Sequence, residues 1–251
     1  NSAPADLFAI SGPSPAGGAF SGVGVSNNQF EPAGLPLGFY PTLYTVADGF
    51  GITNVSAIVV AVGEIPRLVV TTTNDVVNPV DDQISLREAL TYAASLPPPR
   101  VITFSDNTLY GAENFHDGGS RTIILYTNLT ATTHVTINGP GARYLAISGN
   151  QQTRILDIDP GVHMTNNALT FTQGLVTNAV PLSGGITARG GGQLTINQCV
   201  FSHNTSREGG GAIVTGLGTW LQVFNSTFYH NETLVGDGGA IASRGNEAEI
   251  R

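Results

Sequence analysis

The chain of 251 residues contains no lysine, so its ten basic residues are all arginines, and eighteen acidic residues give a net charge of −8. A protein that binds nucleic acid needs a basic surface that displaces counterions from phosphates. Anionic membrane surfaces also attract basic segments. The sequence therefore predicts neither nucleic acid nor an anionic membrane surface as a partner.

Cysteine and long apolar runs are equally scarce. Cys199 is the only cysteine, so no disulfide can form within the chain. It lies in an apolar run, which favours a buried hydrophobic role over a reactive thiol. No apolar run reaches the roughly 18 residues that a spanning helix needs, so we expect no transmembrane segment.

Charged side chains are also few, at 11% of the chain against roughly 25% in ordinary globular proteins. Glycine is abundant, with 32 copies, and this composition is typical of a β-rich protein with many tight turns. The chain begins at Asn1 and carries no signal peptide, so we interpret it as a mature or excised piece of a longer protein.

Residues 1–64 predict a small antiparallel β-domain, because short apolar segments alternate with glycine and proline turns. Residues 43–46 and 56–62 form a hairpin pattern around an Asp-Gly turn. Residues 15–25, with 30–33 and 44–48, resemble a bacterial immunoglobulin-like repeat of cell-surface proteins. The resemblance implies a β-sandwich whose first strand is short or missing. A strand from another chain would fit such an open sheet edge.

One helix is predicted, over residues 84–94, where Ser85 and Glu88 form a capping box. The sequence Ser-Leu-Arg-Glu-Ala at residues 85–89 resembles the domain of that name, which opens right-handed parallel β-helices in bacterial surface and secreted proteins. Neighbouring residues on a helix do not face each other, so Arg87 and Glu88 are not expected to form a catalytic pair. We expect Glu88 to cap the helix and Arg87 to brace it against the first coil.

The C-terminal part repeats with a step of about 27 residues, and a fixed period of this size predicts a solenoid whose coils bury their apolar faces by stacking. A third unit starts at nearly the same step after the second. Segments between residues 122 and 171 predict about three earlier coils with uneven loops. The recurring residues are Ile186, Leu194, Ile196, Phe201 and Asn204, then Ile213, Leu221, Val223, Phe228 and Asn231, then Ile241.

Each residue type in the repeat has an expected role. The phenylalanines Phe201 and Phe228 should stack from coil to coil, and Gly-Gly pairs should form corners with unusual backbone angles. Asn204 and Asn231 should stand at a turn, where asparagine either adopts left-handed geometry or bonds the backbone. Stacked asparagines can also form a ladder along the axis.

The Gly-Gly-Ala-Ile sequences at residues 210–213 and 238–241, with the Phe-x-x-Asn sequences, resemble the repeats of polymorphic outer-membrane adhesins. The last unit lacks its Phe-x-x-Asn, so we expect an open coil that reflects truncation or an assembly interface. The predicted fold class is all-β. A small immunoglobulin-like β-sandwich over residues 1–64 precedes a right-handed parallel β-helix with one N-terminal capping helix over residues 65–251.

Few residues indicate chemistry. Alternation along a strand puts Asp157 and Asp159 on one outward face, as a glycosidase pair or as solvated carboxylates. No cofactor is expected, although Asp75, Asp81 and Asp82 are candidate calcium ligands without calcium-loop spacing. The five histidines lack metal-binding spacing, and His203 and His230 are expected to stack or to form a metal pair. Candidate glycosylation sites are Asn54, Asn128, Asn204, Asn225 and Asn231.

These observations leave three functional hypotheses. The favoured one is an extracellular structural or adhesive protein without catalysis, a filament subunit or adhesin stalk that associates head-to-tail. The alternative is a carbohydrate-binding or polysaccharide-cleaving β-helix, with Trp220, Tyr229 and Tyr126 as candidate groove aromatics. The third is a fragment of a giant surface protein. Carbohydrate and a host or cell surface are the candidate external partners.

Overall fold

The computed structural model describes residues 4–12, 17–108, 111–236, 238–245 and 247–251, without the side chains of residues 179–181 and 247. The chain forms two compact units. The front unit comprises Asn1–Ile65 and Asn78–Asp82, and the solenoid unit comprises Pro66–Val77 and Gln83–Arg251.

The front unit contains two antiparallel sheets of three strands and a short helix, α1. Side chains from both sheets and from α1 meet in a small core of Leu7, Phe20, Phe30 and Tyr44. Residues 15 and 16 of the immunoglobulin-like stretch lie outside the described residues. The elements are β1 Ala5–Asp6, α1 Leu7–Ser11, β2 Ala19–Gly22, β3 Val25–Ser26, β4 Gln29–Phe30, β5 Gly38–Ala47 and β6 Thr53–Val62.

Strands β5 and β6 confirm the predicted hairpin, and all ten residues of each strand are paired. The side-chain oxygen Oδ1 of Asp48 accepts hydrogen bonds from the backbone N–H groups of Phe50 and Ile52, which fixes the turn. Strand β6 lies at the edge of the sheet order β2-β5-β6.

The remaining residues form a parallel β-solenoid of right-handed type, with about five turns over residues 121–250, as the repeat predicts. A helix and two strands precede the turns. In chain order the elements are β7 Val69–Val70, α2 Leu86–Ser95, β8 Val101–Phe104, β9 Arg121–Ile124, β10 Leu129–Ala131, β11 Val135–Asn138, β12 Leu145–Ser148, β13 Leu156–Ile158, β14 His163–Asn167, β15 Thr170–Thr172, β16 Leu175–Pro181, β17 Ile186–Ala188, β18 Gln193–Asn197, β19 Val200–Ser202, β20 Thr205–Glu208, β21 Ile213–Thr215, β22 Trp220–Phe224, β23 Thr227–Tyr229, β24 Glu232–Val235, β25 Ile241–Ser243 and β26 Glu247–Ile250.

Four parallel sheets run along the solenoid. Their strand orders are β10-β13-β17-β21-β25, β26-β22-β18-β14-β11-β8-β7, β23-β19-β15-β12-β9 and β16-β20-β24. The second of these is called the seven-stranded sheet below. No helix among the described residues is long and apolar enough to cross a membrane.

Equivalent residues lie opposite each other in successive coils. Phe201 pairs with Phe228, and their ring centroids lie 5.0 Å apart at 4° between planes. Phe171 extends the stack at 4.9 Å from Phe201. The other partners in register are Ile186 with Ile213, Leu194 with Leu221, Ile196 with Val223, and Ile213 with Ile241. Each pair buries its aliphatic groups in one continuous core.

Some Gly-Gly corners have the unusual backbone angles that the sequence predicts, and others are required by space. A Cβ atom on Gly185 would lie 2.2 Å from the carbonyl oxygen of Ala212, and one on Gly211 would lie 2.6 Å from that of Asn204. Successive coils therefore approach too closely for any side chain there. Positive φ angles occur at Gly190, at +126°, at its two following glycines, and at Gly238 of the second Gly-Gly-Ala-Ile sequence, at +85°.

The turn before each Phe-x-x-Asn asparagine also differs from one expectation. His203 and His230 take the left-handed conformation, at φ of 55° and 52°, and the asparagines that follow them do not. Asn204 bonds the backbone instead, donating Nδ2–H to the carbonyl oxygen of Phe171 at 3.0 Å. Its Nδ2 also donates to Oδ1 of Asn231 at 3.0 Å, which forms the expected asparagine ladder.

Candidate functional site

The cap of the solenoid is held by the residues that resemble the Ser-Leu-Arg-Glu-Ala motif. Oγ of Ser85 accepts from the backbone N–H of Glu88 at 3.1 Å, and Oε2 of Glu88 accepts from that of Ser85 at 2.9 Å. The guanidinium of Arg87 donates twice to the buried carboxylate of Asp75, each time at 2.8 Å. It also donates to the carbonyl oxygens of Thr127 and Asn128, which joins α2 to the first coil. These contacts are structural.

The outer face of the seven-stranded sheet carries a regular polar surface. Along β14, β18 and β22 every second side chain is buried, and those between them point away from the core. The strand register lines these outward side chains up in columns along the solenoid axis. The first column is His163, Gln193 and Trp220, and His134, just before β11, extends it by its contact with His163. The second column is Thr136, Thr165, Thr195 and Gln222, and the third is Asn138, Asn167, Asn197 and Phe224.

Hydrogen bonds connect the coils within these columns. Nδ2 of Asn167 donates to Oδ1 of Asn138 at 2.8 Å, and Nδ2 of Asn197 donates to Oδ1 of Asn167 at 3.3 Å. Nε2 of Gln193 donates to Oε1 of Gln222. The amides are therefore held in fixed orientations and present a flat array of donors and acceptors.

A groove of about 400 Å³ opens at the start of this face. Its wall is the segment that leads from the capping helix into β8, and its base is formed by the first two columns. The lining residues are Pro98, Pro99, Arg100, Val101, His134, Val135, Thr136, His163, Met164, Thr165 and Gln193.

Two histidines from successive coils meet in the groove. The rings of His134 and His163 lie 4.7 Å apart, edge to face. The backbone N–H of His163 donates to Nδ1 of His134 at 2.9 Å. Because Nδ1 accepts, the neutral ring of His134 carries its proton on Nε2, which is a donor. Arg100 completes the groove, and its Nε donates to the carbonyl oxygen of Leu96 at 2.9 Å.

The sequence carries a signal for this site that a search for metal-binding spacing among the histidines misses. Residues 134–138, 163–167 and 193–197 read His-Val-Thr-Ile-Asn, His-Met-Thr-Asn-Asn and Gln-Leu-Thr-Ile-Asn. The pattern of polar residues at every second position predicts a strand with one polar face. The steps from one of these segments to the next are longer than the step that separates Leu194 from Leu221, which hides the motif from a search at a fixed period.

The prediction of a solvated carboxylate is wrong for Asp157, whereas Asp159 is partly exposed. Asp157 is only 3% exposed, because its Oδ2 accepts from Nε of Arg154 and from Nη2 of Arg189, each at 2.9 Å. Nδ2 of Asn128 also donates to it. Oδ1 of Asp157 has no hydrogen-bond partner within the described residues. A carboxylate covered by two arginines joins coils and is not placed as a general acid or nucleophile.

The other candidate residues are placed separately. Rings of His203 and His230 lie 5.1 Å apart in successive coils, which is the expected stacking. The described residues bring no three histidine, cysteine, aspartate or glutamate side chains together as a metal site. Asp75 already binds Arg87, while Asp81 and Asp82 lie in the front unit. Burial raises the pKa of the Cys199 thiol to about 11, which makes it unreactive.

The three candidate groove aromatics do not form one surface. Trp220 is 44% exposed on the seven-stranded sheet, whereas Tyr229 lies on β23 of another sheet and Tyr126 follows β9. Of the candidate glycosylation sites, Asn54 and Asn225 are exposed, and Asn128 and Asn231 are partly buried. Asn204 is wholly buried, so the folded chain cannot carry a glycan there.

Comparisons of the chain with protein-family models, with curated proteins and with solved structures found no match. Function must therefore be inferred from the residues and geometry of this chain.

Proposed function

We propose that this chain is an extracellular structural element, a β-solenoid rod of a surface filament or adhesin stalk that associates with further copies of itself. The observation that carries the proposal is the repetition of identical contacts along the axis. The stack of Phe171, Phe201 and Phe228 and the ladder of Asn204 and Asn231 join each coil to the next in the same way. Such contacts hold successive coils together along a rod, and any further coil of the same geometry can make them again.

Head-to-tail association uses the last strand of each parallel sheet. Strand β26 lies at the edge of the seven-stranded sheet, and β25 lies at the edge of a five-stranded sheet. Edge strands present backbone N–H and C=O groups that pair with a further strand. In the proposed filament a coil of a second copy pairs with this edge, and a contact that does not close on itself makes a fibre.

We also propose that the front unit is an immunoglobulin-like module of the kind found in bacterial surface proteins. Its two antiparallel sheets with a shared core support this assignment. The free edge of β6 is the place where an additional strand would complete the module.

Electron microscopy and sedimentation velocity of the purified chain test the filament proposal. We expect fibres whose length grows with protein concentration. Replacing both Ala248 and Ile250 of β26 by arginine places like charges at the edge and should leave the chain dispersed. Replacing the exposed Gln151, in a turn, by arginine adds a charge elsewhere and should leave the fibres unchanged. A wild-type chain that stays dispersed at every concentration would contradict self-association.

Carbohydrate binding by the outer face of the seven-stranded sheet is the second candidate function. The exposed ring of Trp220 and the fixed amides of Asn138, Asn167 and Gln193 favour it, because sugars stack on aromatic rings and bond to planar amides. A glycan array should show binding that Trp220→Ala abolishes. Tyr229→Ala, which truncates a similarly exposed aromatic on another sheet, is the matched control. Equal losses in both variants would contradict a site on this face.

A further inference from the structure

We propose that the groove formed by Arg100, His134 and His163 binds the acid group, a carboxylate or a sulfate, of an acidic saccharide. This inference rests on the second candidate function, carbohydrate binding by the outer face of the seven-stranded sheet. It goes further, because it makes the ligand acidic and says where its acid group binds. It does not depend on filament formation.

Charge is the first reason. The chain has a net charge of −8, yet no aspartate or glutamate lines the groove, where the ionisable side chains are Arg100 and the two histidines. Arg100 has no ion pair within the described residues, and only its Nε is bonded, to the carbonyl oxygen of Leu96. Its terminal nitrogens therefore present two parallel donors, the arrangement that binds a carboxylate or sulfate at two oxygens.

Donor geometry is the second reason. Because Nδ1 of His134 accepts the backbone N–H of His163, the proton of the neutral ring is on Nε2. Nε2 therefore lacks the lone pair that a metal ion needs and offers a hydrogen bond to an oxygen instead. Arg100 and His134 thus both line one cavity and both carry N–H donors. A cavity with donors and no carboxylate fits an anion and disfavours a metal cation.

Shape is the third reason, and it selects a saccharide over a free small anion. The groove extends across the strands that carry Val101, Val135, His163 and Gln193, which are successive in the sheet. Three steps between strands amount to roughly 14 Å along the axis. Pro98 and Pro99 add an apolar wall to part of the groove, against which a sugar ring can pack while its hydroxyl groups reach the polar columns.

The test is calorimetric titration of the full chain with three probes of equal length. These are a galacturonic acid oligosaccharide, a sulfated oligosaccharide and a neutral maltooligosaccharide. We expect one or both acidic probes to bind and the neutral probe to bind more weakly. Their relative affinities show whether carboxylate or sulfate is preferred. Arg100→Gln should weaken acidic binding roughly 10- to 100-fold, since it removes a charged hydrogen-bond donor.

Arg143→Gln is the matched control, because it removes an exposed arginine outside the groove and should leave the affinity unchanged. His134→Phe gives a second variant, which should weaken acidic binding even if Arg100→Gln fails to fold. Acidic binding that persists unchanged in both variants would overturn the inference. Binding of the neutral probe alone would overturn it while leaving the carbohydrate proposal intact. No binding of any probe would also overturn the inference, and the glycan array described above then decides the carbohydrate proposal separately.

Discussion

The two units of this chain use apolar side chains in opposite ways. In the solenoid, Phe171 and Phe201 stack against their equivalents and are wholly buried. In the front unit, Phe39 and Val59 on the β5–β6 hairpin are 62% and 63% exposed. A coil inside the stack has neighbouring coils that cover its apolar side chains, whereas no layer of the described residues covers one face of this hairpin. Stability in the solenoid therefore comes from repetition, and in the front unit from a few central residues.

The largest expected effect tests this contrast directly. Phe201→Ala should lower the free energy of unfolding by about 3–5 kcal/mol, because it opens a cavity in the middle of the ring stack. Phe39→Ala removes the same atoms from an exposed site and should change it by less than about 0.5 kcal/mol. Urea denaturation followed by far-ultraviolet circular dichroism measures both. Similar losses of stability in the two variants would contradict the difference between the two units.

A second experiment asks whether the cap folds together with the coils. Arg87→Ala leaves the buried Asp75 carboxylate without its ion pair and should cost about 3 kcal/mol. Replacing Asp75 by leucine and Arg87 by methionine together should cost less than the single change, because no buried charge is left unpaired. The measurement is again the urea midpoint. If the single variant lost less stability than the double variant, the ion pair between Arg87 and Asp75 would not be what holds α2 against the coils.

How far the sequence predicts this molecule depends on how regular its repeats are. The equal steps from Leu194 to Leu221 and from Phe201 to Phe228 predict both the solenoid and the facing residues, because two coils of equal length pair in a single register. Earlier coils differ in length, so the sequence does not predict that Ile147 pairs with Phe171 in the next coil. The hairpin was predictable from alternation and its turn.

The site could be predicted less well than the fold. Asp157 is buried by Arg154 in its own coil and by Arg189 from the next, and only the three-dimensional register brings the second arginine there. His134 and His163 meet for the same reason. Alternation along a strand predicts which side a residue faces, but it does not predict which side chain from the next coil covers it.

The Cys199 thiol reports how completely water is excluded from the solenoid core. Burial raises the pKa of the Cys199 thiol from about 9 to about 11, so the folded state favours the protonated thiol. This contribution to stability is complete below pH 9 and is lost as the pH rises from 9 to 11, by about 3 kcal/mol at most. The difference in stability between wild type and Cys199→Ala should therefore change between pH 9 and 11. A difference that stays constant there would contradict the burial of the thiol.

The smallest expected effects come from two asparagines that are both wholly buried in the solenoid but differ in their hydrogen bonds. Asn166 lies between Ile137 and Ile196 in register, and neither its Oδ1 nor its Nδ2 has a partner within the described residues. Asn204 accepts from the backbone N–H of Gly174 at 2.9 Å, besides its bonds to Phe171 and Asn231.

Replacing asparagine by leucine should therefore change the free energy of unfolding in opposite directions at these two positions. Asn166→Leu removes an unpaired amide from an apolar layer and should raise the free energy of unfolding by about 1–2 kcal/mol. Asn204→Leu leaves buried backbone groups without partners and should lower it by about 2 kcal/mol. Urea midpoints at unchanged slope measure both. If both variants lost stability, hydrogen bonding would not explain the difference between the two positions. The solenoid core would then tolerate an unpaired polar group, as the solvent-exposed face of the hairpin does.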